Sequence, residues 1–169
     1  MLKMKKWFAL YTKPRHEFKA LEQINAFDIT TYLPTTTVIK QWSDRKKKIT
    51  EPLFRGYIFI NADESERNLS LTSDAVLKTI FFNGKPAVIP DWEMENLKQI
   101  LNHTDKITVH NGIIKGTKVE IASGPMIGLE GIVSTVSKDE QTLAVSIEML
   151  NRSVIITLPT ATVIKKSNK

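Results

Sequence analysis

The hydrophobic pattern of this chain changes character once, near residue 102, and that change restricts it to two small folded units of different kinds. Before it, strand-like apolar runs alternate with helical spacing. Beyond it, Gly116, Gly124, Gly128 and Gly131 punctuate short β-branched runs and no helical period is sustained. The 169 residues therefore divide into a domain over 1–101, a polar linker over 102–114 and a second domain over 115–169. The downstream runs at 119–121, 131–133, 143–147 and 154–158 suit a small β-barrel of about 50 residues, near the lower size limit for independent folding. The last residues, from Lys165 to Lys169, read as a frayed tail.

In the first domain, Lys6-Trp7-Phe8-Ala9-Leu10-Tyr11 reads as a central strand stopped by Thr12-Lys13-Pro14. Phe18, Leu21 and Ile24 then recur at helical spacing over 15–26, so an amphipathic helix packs on that strand. Residues 31–39 favour extended structure with a break at Pro34, and Asp44-Arg45-Lys46-Lys47-Lys48 reads as a hairpin tip between Ile39 and Ile49. Glu51-Pro52-Leu53-Phe54-Arg55-Gly56 leads into the strand Tyr57-Ile58-Phe59-Ile60. A polar helix over 63–71 and an extended run over 76–82 follow. Asn83-Gly84 suits a type I′ turn, because both positions tolerate positive φ, and Ala87-Val88-Ile89 returns as a strand. A last helix starts at Pro90-Asp91 and places Leu97, Ile100 and Leu101 on one face. The fold class is α+β: a mainly antiparallel sheet sandwiched with helices, followed by the small barrel.

Charge is placed unevenly. Residues 1–55 hold 12 Lys and Arg against 5 acids, and the remainder holds 12 against 13, so the whole net charge of +6 lies in the first third. A cationic stripe confined to one region attracts polyanions such as nucleic acid. Catalysis, by contrast, has no candidate. With no cysteine, thiolate metal sites and thiol chemistry are excluded. His16, His103 and His110 are not at ligand spacing, the glycines over 124–131 run into a strand rather than a helix, and no serine has a nucleophile-elbow context. The expectation is a non-enzyme without metal or cofactor. Residues 1–6 are basic but lack an apolar signal core, and no run approaches a membrane span, so a cytoplasmic protein is expected; it is also expected to be a monomer.

Apolar residues also occur where a simple core does not need them. Pro52-Leu53-Phe54 precedes an already apolar strand, Phe81-Phe82 abuts a turn, and Met149-Leu150-Asn151-Arg152 occupies a place where a polar turn is expected. Clusters of this kind mark protein contacts when they reach solvent.

These residues resemble the NusG-like transcription elongation factors over essentially the whole chain. Trp7-Phe8-Ala9-Leu10-Tyr11, Arg15-His16-Glu17, Tyr32-Leu33-Pro34 and Glu51 to Ile60 look like the NusG N-terminal (NGN) domain. Residues 115–133 look like a KOW motif, and 134–164 like the rest of its SH3-like barrel. The segment from Gln41 to Lys48 is most similar to UpxY-type specialised antiterminators. The resemblance implies an apolar patch, Tyr11, Leu53, Phe54 and Phe82, that docks on the clamp helices of RNA polymerase. It implies a basic face, Lys13, Arg15, His16 and Lys19, joined here by Arg45, Lys46, Lys47 and Lys48, that touches non-template DNA or nascent RNA. Met149, Leu150 and Arg152 match the KOW contact for ribosomal protein S10 or Rho. The chain departs from the pattern at Asp74-Ala75, where relatives carry Arg-Gly, and at Arg67-Asn68-Leu69, where they carry a Thr-rich loop. The function so implied is suppression of pausing or termination, at operons such as those for polysaccharide biosynthesis. A KOW-type RNA-binding ribosomal or assembly factor is the alternative, disfavoured by the charge lying in the first domain.

Overall fold

A computed structural model describes residues 3–104, 106–136, 138–159, 162 and 164–166, with the side chains at 134–136, 149, 165 and 166 outside the description. The chain separates into two compact units, Met1–Asp91 and Trp92–Lys169.

The first unit is organised by β1 (Lys6–Thr12), which pairs antiparallel with β5 (Tyr57–Ala62) on one side and with β6 (Val76–Thr79) and β9 (Val88–Ile89) on the other; β2 (Thr30–Tyr32) extends the sheet beyond β5. Phe8 and Leu10 share a face with Ile58, Ile60 and Ala62, packed against Ala20 and Ile24 of α1 (Glu17–Asn25). Trp7, Ala9, Phe59 and Ile89 are buried as well. A strand whose side chains are buried in both directions needs an unbroken apolar run, which is why 7–10 does not alternate with polar residues. The inward stripe of α1 differs from the expected one. Phe18 is exposed, and Glu17 is buried in its place because its Oε1 accepts a 2.7 Å hydrogen bond from the Gly56 N–H. The second helix, α2 (Glu64–Ser70), is started by a capping box in which Asp63 accepts from the Glu66 N–H and Glu66 accepts from the Asp63 N–H.

Two hairpins leave this sheet. β3 (Thr35–Gln41) and β4 (Lys46–Pro52) form a separate two-stranded ribbon whose turn is Trp42 to Arg45, closed by the Trp42 N–H donating to the Arg45 carbonyl at 2.8 Å. Lys46, Lys47 and Lys48 therefore lie in a strand, not in the tip itself. β7 (Phe81–Phe82) and β8 (Lys85–Pro86) are joined by Asn83 and Gly84, both at positive φ, 49° and 74°, as a type I′ turn demands.

Leu53 and Phe54, expected at the surface, are interior. Leu53 is 9% and Phe54 3% exposed. The Leu53 N–H donates to the Pro34 carbonyl at 2.8 Å, and the Phe54 ring meets Phe59 edge-on at 6.1 Å. The chain after β4 then turns inward: the Tyr57 N–H returns to the Phe54 carbonyl, with Gly56 at φ 82°. A glycine at positive φ in the third position is the signature of a type II turn.

The helix α3 (Asp91–His103), all but its first residue in the second unit, has Met94, Leu97 and Ile100 on its buried face, with Leu101 only half-buried. The antiparallel sheet of the second unit runs β10 (Ile107–Asn111), β14 (Arg152–Pro159), β13 (Glu140–Ile147), β12 (Glu130–Val136), β11 (Thr117–Ile121), β15 (Ile164–Lys166). β10 falls inside the span expected to be linker, and it is held by pairing with β14 from Ile107↔Ile156 to Asn111↔Arg152. β15 likewise takes Lys165 and Lys166 out of the expected frayed tail by pairing with β11, whereas 167–169 lie outside the described residues. Gly131 allows β12 to approach β13, since a Cβ there would lie 2.8 Å from Leu143 Cγ and 2.9 Å from the Ala144 carbonyl oxygen. Glu93, only 1% exposed, accepts a hydrogen bond from the Glu148 N–H, while its Oε2 finds no partner among the described residues. Burial, and secondarily the Glu148 carboxylate, push its pKa up to about 7.

Two consequences are measurable. Phe54→Ala empties a packed aromatic site and should lower unfolding free energy in denaturant titration by about 3–5 kcal/mol. An unchanged midpoint would place that ring outside the core. Glu93 binds its proton more tightly in the folded state, so its contribution is most favourable below pH 4.5 and is lost as the pH rises through about 7. Glu93→Gln should therefore stabilise the fold by about 1–2 kcal/mol at pH 8, allowing for residual screening, and by nothing at pH 4. Thermal melts at the two pH values read the difference.

Candidate functional site

With Leu53 and Phe54 removed, the exposed apolar surface of the first unit still includes Tyr11, Phe81 and Phe82. Tyr11 is the penultimate residue of β1 and is 37% exposed, with its ring edge-on to Tyr57 at 5.3 Å. Its height is set by the turn beneath it, because a Cβ at Gly56 would lie 3.3 Å from Tyr11 Cε2. The same turn is pinned from two sides, by Glu17 and by the Thr12 N–H donating to the Gly56 carbonyl at 2.8 Å. Tyr11 pairs with Lys78, and four residues further on lies Phe82, about 13 Å away if the chain stays extended. Phe81 and Phe82 are 57% and 59% exposed, on a hairpin too short to bury either ring. Two adjacent phenyl rings in water, next to a rigid turn, are unfavourable in the free protein and suited to a protein partner.

The cations expected to form one basic face fall into two groups. Lys13 and Lys19 converge on a single carboxylate, Asp74, at 3.0 and 2.8 Å. Their hydrogen bonds hold the Asp74 pKa down at about 2. The favourable contribution of this contact is thus complete above pH 3.8 and fades only as the pH falls towards 2. His16 donates from Nδ1 to the Pro14 carbonyl at 2.8 Å, and Arg15 sits at φ 63° in the turn before α1. In this conformation Lys13, His16 and Lys19 each commit one donor to the protein, and the two lysines have much of their charge offset by Asp74. Sequence reading missed Asp74 as their partner, for nothing local joins residues 13, 19 and 74.

On the β3–β4 ribbon the outcome is opposite. Lys40 pairs with Glu51, which Arg55 also approaches at 3.3 Å, and Arg45 lies 4.0 Å from Asp44. Lys46, Lys47 and Lys48 have no carboxylate partner among the described residues. Lys47 instead places its ammonium 5.3 Å from the centre of the Trp42 ring. Trp42, which sequence reading left without a role, is 49% exposed.

In the second unit Leu150 is 5% exposed, in a single helical turn (Glu148–Leu150) ended by Asn151 at φ 50°. It is thereby withdrawn from the surface contact expected of it. Arg152 folds back, its Nη1 donating to the carbonyls of Leu150 and Asn151 at 3.3 and 3.1 Å. The Met149 side chain lies outside the description. A groove of about 460 Å³ is lined by Trp92, Ile114, Lys118, Ile132 and Val145 among others, with Glu93 and Glu148 beside it. Glu93 lies in the wall of this groove, 1% exposed, and accepts from the Glu148 backbone N–H. Among the described residues no cluster of side chains could hold a metal ion, and no helix is long and apolar enough to cross a membrane.

Comparison with known proteins adds a family. No curated protein matches the sequence. Among solved structures, Thermotoga maritima NusG, from a study of its domain interaction, is similar at 23% identity and a TM-score of 0.52, over 96% of this chain and 97% of that one. The MjSpt4:Spt5 complex is similar in conformation B at 22% identity and a TM-score of 0.36, over 96% of this chain and 97% of that one. In conformation A the values are 23% and 0.33, over 96% and 99%. The family described as transcription termination factor NusG matches residues 5–98, more than half of the sequence. The chain belongs to the NusG family.

Proposed function

We propose that this protein rides on elongating RNA polymerase and suppresses pausing or termination, with the first unit docked on the clamp helices and holding the clamp closed. The observation that carries the reading is the exposed set Tyr11, Phe81 and Phe82 in the family-matched unit, where apolar surface persists after the core is filled. The docking patch is narrower than the sequence implied, since Leu53 and Phe54 support it from inside. The uncompensated ribbon cations favour a second contact, with non-template DNA or nascent RNA, that steers rather than specifies. The segment from Gln41 to Lys48 supports a specialised, UpxY-type member serving particular operons, polysaccharide biosynthesis being the expected class, in the cytoplasm and as a monomer. The second unit fits a KOW barrel that recruits ribosomal protein S10 or Rho, through Met149 and Arg152 with Leu150 as buried support. A ribosomal RNA-binding role is disfavoured by the placement of the cations in the first unit.

Transcription in vitro through a terminator, with and without the protein and with the template leader varied, tests the whole reading; unchanged read-through on every leader would refute it. The Tyr11→Ala, Phe82→Ala double variant should still melt cooperatively, giving up about 1 kcal/mol with the Tyr11–Tyr57 contact, yet bind RNA polymerase at least about tenfold more weakly. Full affinity would move the docking site elsewhere. Asp74→Asn should release Lys13 and Lys19, so nucleic-acid binding becomes tighter at low salt and its salt dependence steeper by about one to two phosphate equivalents. An unaltered slope would mean those lysines stay withdrawn for another reason.

A further inference from the structure

The β3–β4 ribbon spends stability on features its fold does not need. Lys40 faces Lys47 directly across the ladder, and like charges opposed in this way destabilise a hairpin. Glu51 compensates Lys40 but leaves Lys47 uncompensated. The ribbon is also a two-stranded sheet of its own, an arrangement that is marginal in water. Lysines on exposed strands do protect against edge-to-edge association. Protection would not, however, call for an indole at the turn or for Ile39, which stands exposed opposite Lys48. Alternation along the ladder places Lys40 and Lys47 on one face and Lys46 and Lys48 on the other, so cations flank the turn on both sides.

We propose that this tip grips an unpaired nucleotide of a single-stranded nucleic acid, with Trp42 as the stacking platform and Lys46, Lys47 and Lys48 as phosphate contacts. Three observations converge on that ligand. Half of the Trp42 surface is open, and a flat π surface accepts any base without reading its edges. The Lys47 ammonium already lies over one face of the ring, 5.3 Å from its centre, which leaves the other face for a base and holds a charge within reach of that base's phosphate. The neighbouring lysines carry no carboxylate that a phosphate would have to displace. A duplex offers phosphates equally well but keeps its bases stacked on one another, which leaves the indole idle. This deepens the nucleic-acid contact proposed above and names the residue that selects unpaired strands.

The test is fluorescence anisotropy of the full chain on labelled twelve-nucleotide oligo(dT), oligo(U) and a mixed-sequence duplex across a salt series without polymerase, paired with a separate titration of wild type and Trp42→Ala against RNA polymerase. Trp42→Ala should weaken binding to the single strands about tenfold, leave the duplex nearly unchanged, and be largely rescued by Trp42→Phe. The Lys46→Gln, Lys47→Gln, Lys48→Gln triple variant should instead weaken all three ligands and flatten the salt slope by about 2. Preference for oligo(dT) or oligo(U) identifies DNA or RNA as the source, and either supports the grip. Equal single-strand and duplex losses for Trp42→Ala, or no loss, would overturn it. Loss of polymerase affinity with Trp42→Ala while oligonucleotide binding persists would make the tip a protein contact, also overturning it. Single-strand selectivity without any polymerase binding by the wild type would sustain the grip and refute the elongation-factor reading.

Discussion

Pairing on both edges of β1 is the constraint on which the first unit depends. One strand, Lys6–Thr12, carries β5 along one side and β6 and β9 along the other, and its side chains are interior from Trp7 to Leu10. A strand used in this way has no freedom to slip, because a shift of one residue would exchange its two buried sets. The rigidity extends to the end of the strand. Tyr11 emerges where the ladder with β6 becomes irregular, between Tyr11 and Thr12, and the Gly56 turn closes beneath it. The exposed ring is therefore positioned by backbone pairing, by a carboxylate-to-N–H bond from Glu17 and by the absence of a Cβ at Gly56. Little ordering cost remains to be met when a partner covers it, which is the condition for an aromatic side chain to contribute strongly at an interface.

Electrostatics divides the same unit. The excess positive charge of residues 1–55 suggests a single broad field, but the folded chain distributes compensation unequally. Lys3, Lys5, Lys13 and Lys19 each meet an acid from the span 63–74, distant in sequence. The ribbon has only Asp44 and Glu51 for its cations, so the uncompensated charge gathers on an element that stands apart from the sheet. Exposed pairs contribute little to stability. Their consequence here is to decide which lysines remain available to an outside anion.

Much of the architecture was legible because it rests on local rules. Trp7 to Leu10 announced a central strand, Pro34 marked a break between β2 and β3, residues 63–71 had a helical composition, and Asn83-Gly84 marked a turn that the backbone adopts with both φ values positive. What escaped depends on partners far along the chain. Glu17 displaced Phe18 from the inward face of α1 because Gly56, 39 residues away, supplied a donor. Phe54 reads as surplus next to an apolar strand until the turn folds it onto Phe59. The strand Ile107–Asn111 looks like linker because its polar residues alternate weakly, and only β14 gives it a ladder. Trp42 went unassigned for a different reason: a single tryptophan beside charges has no periodicity from which to read its exposure.

The two candidate surfaces are built on opposite physics, and that separation has a functional logic. Contact through Tyr11, Phe81 and Phe82 relies on removing apolar area from water, which salt hardly weakens and which sets how long a complex lasts. Contact through the ribbon relies on counterion release, which acts over the range of a Debye length and falls steeply with ionic strength. Under the proposed function, finding a moving polymerase and then remaining on it draws on both, since the first interaction governs residence and the second governs encounter. The separation is one of degree: Lys78 stands across the ladder from Tyr11 and Lys85 across from Phe82, so a partner seated on the aromatic rings must leave those ammonium groups at a wet rim, their stems lying along apolar surface, rather than enclose them unpaired.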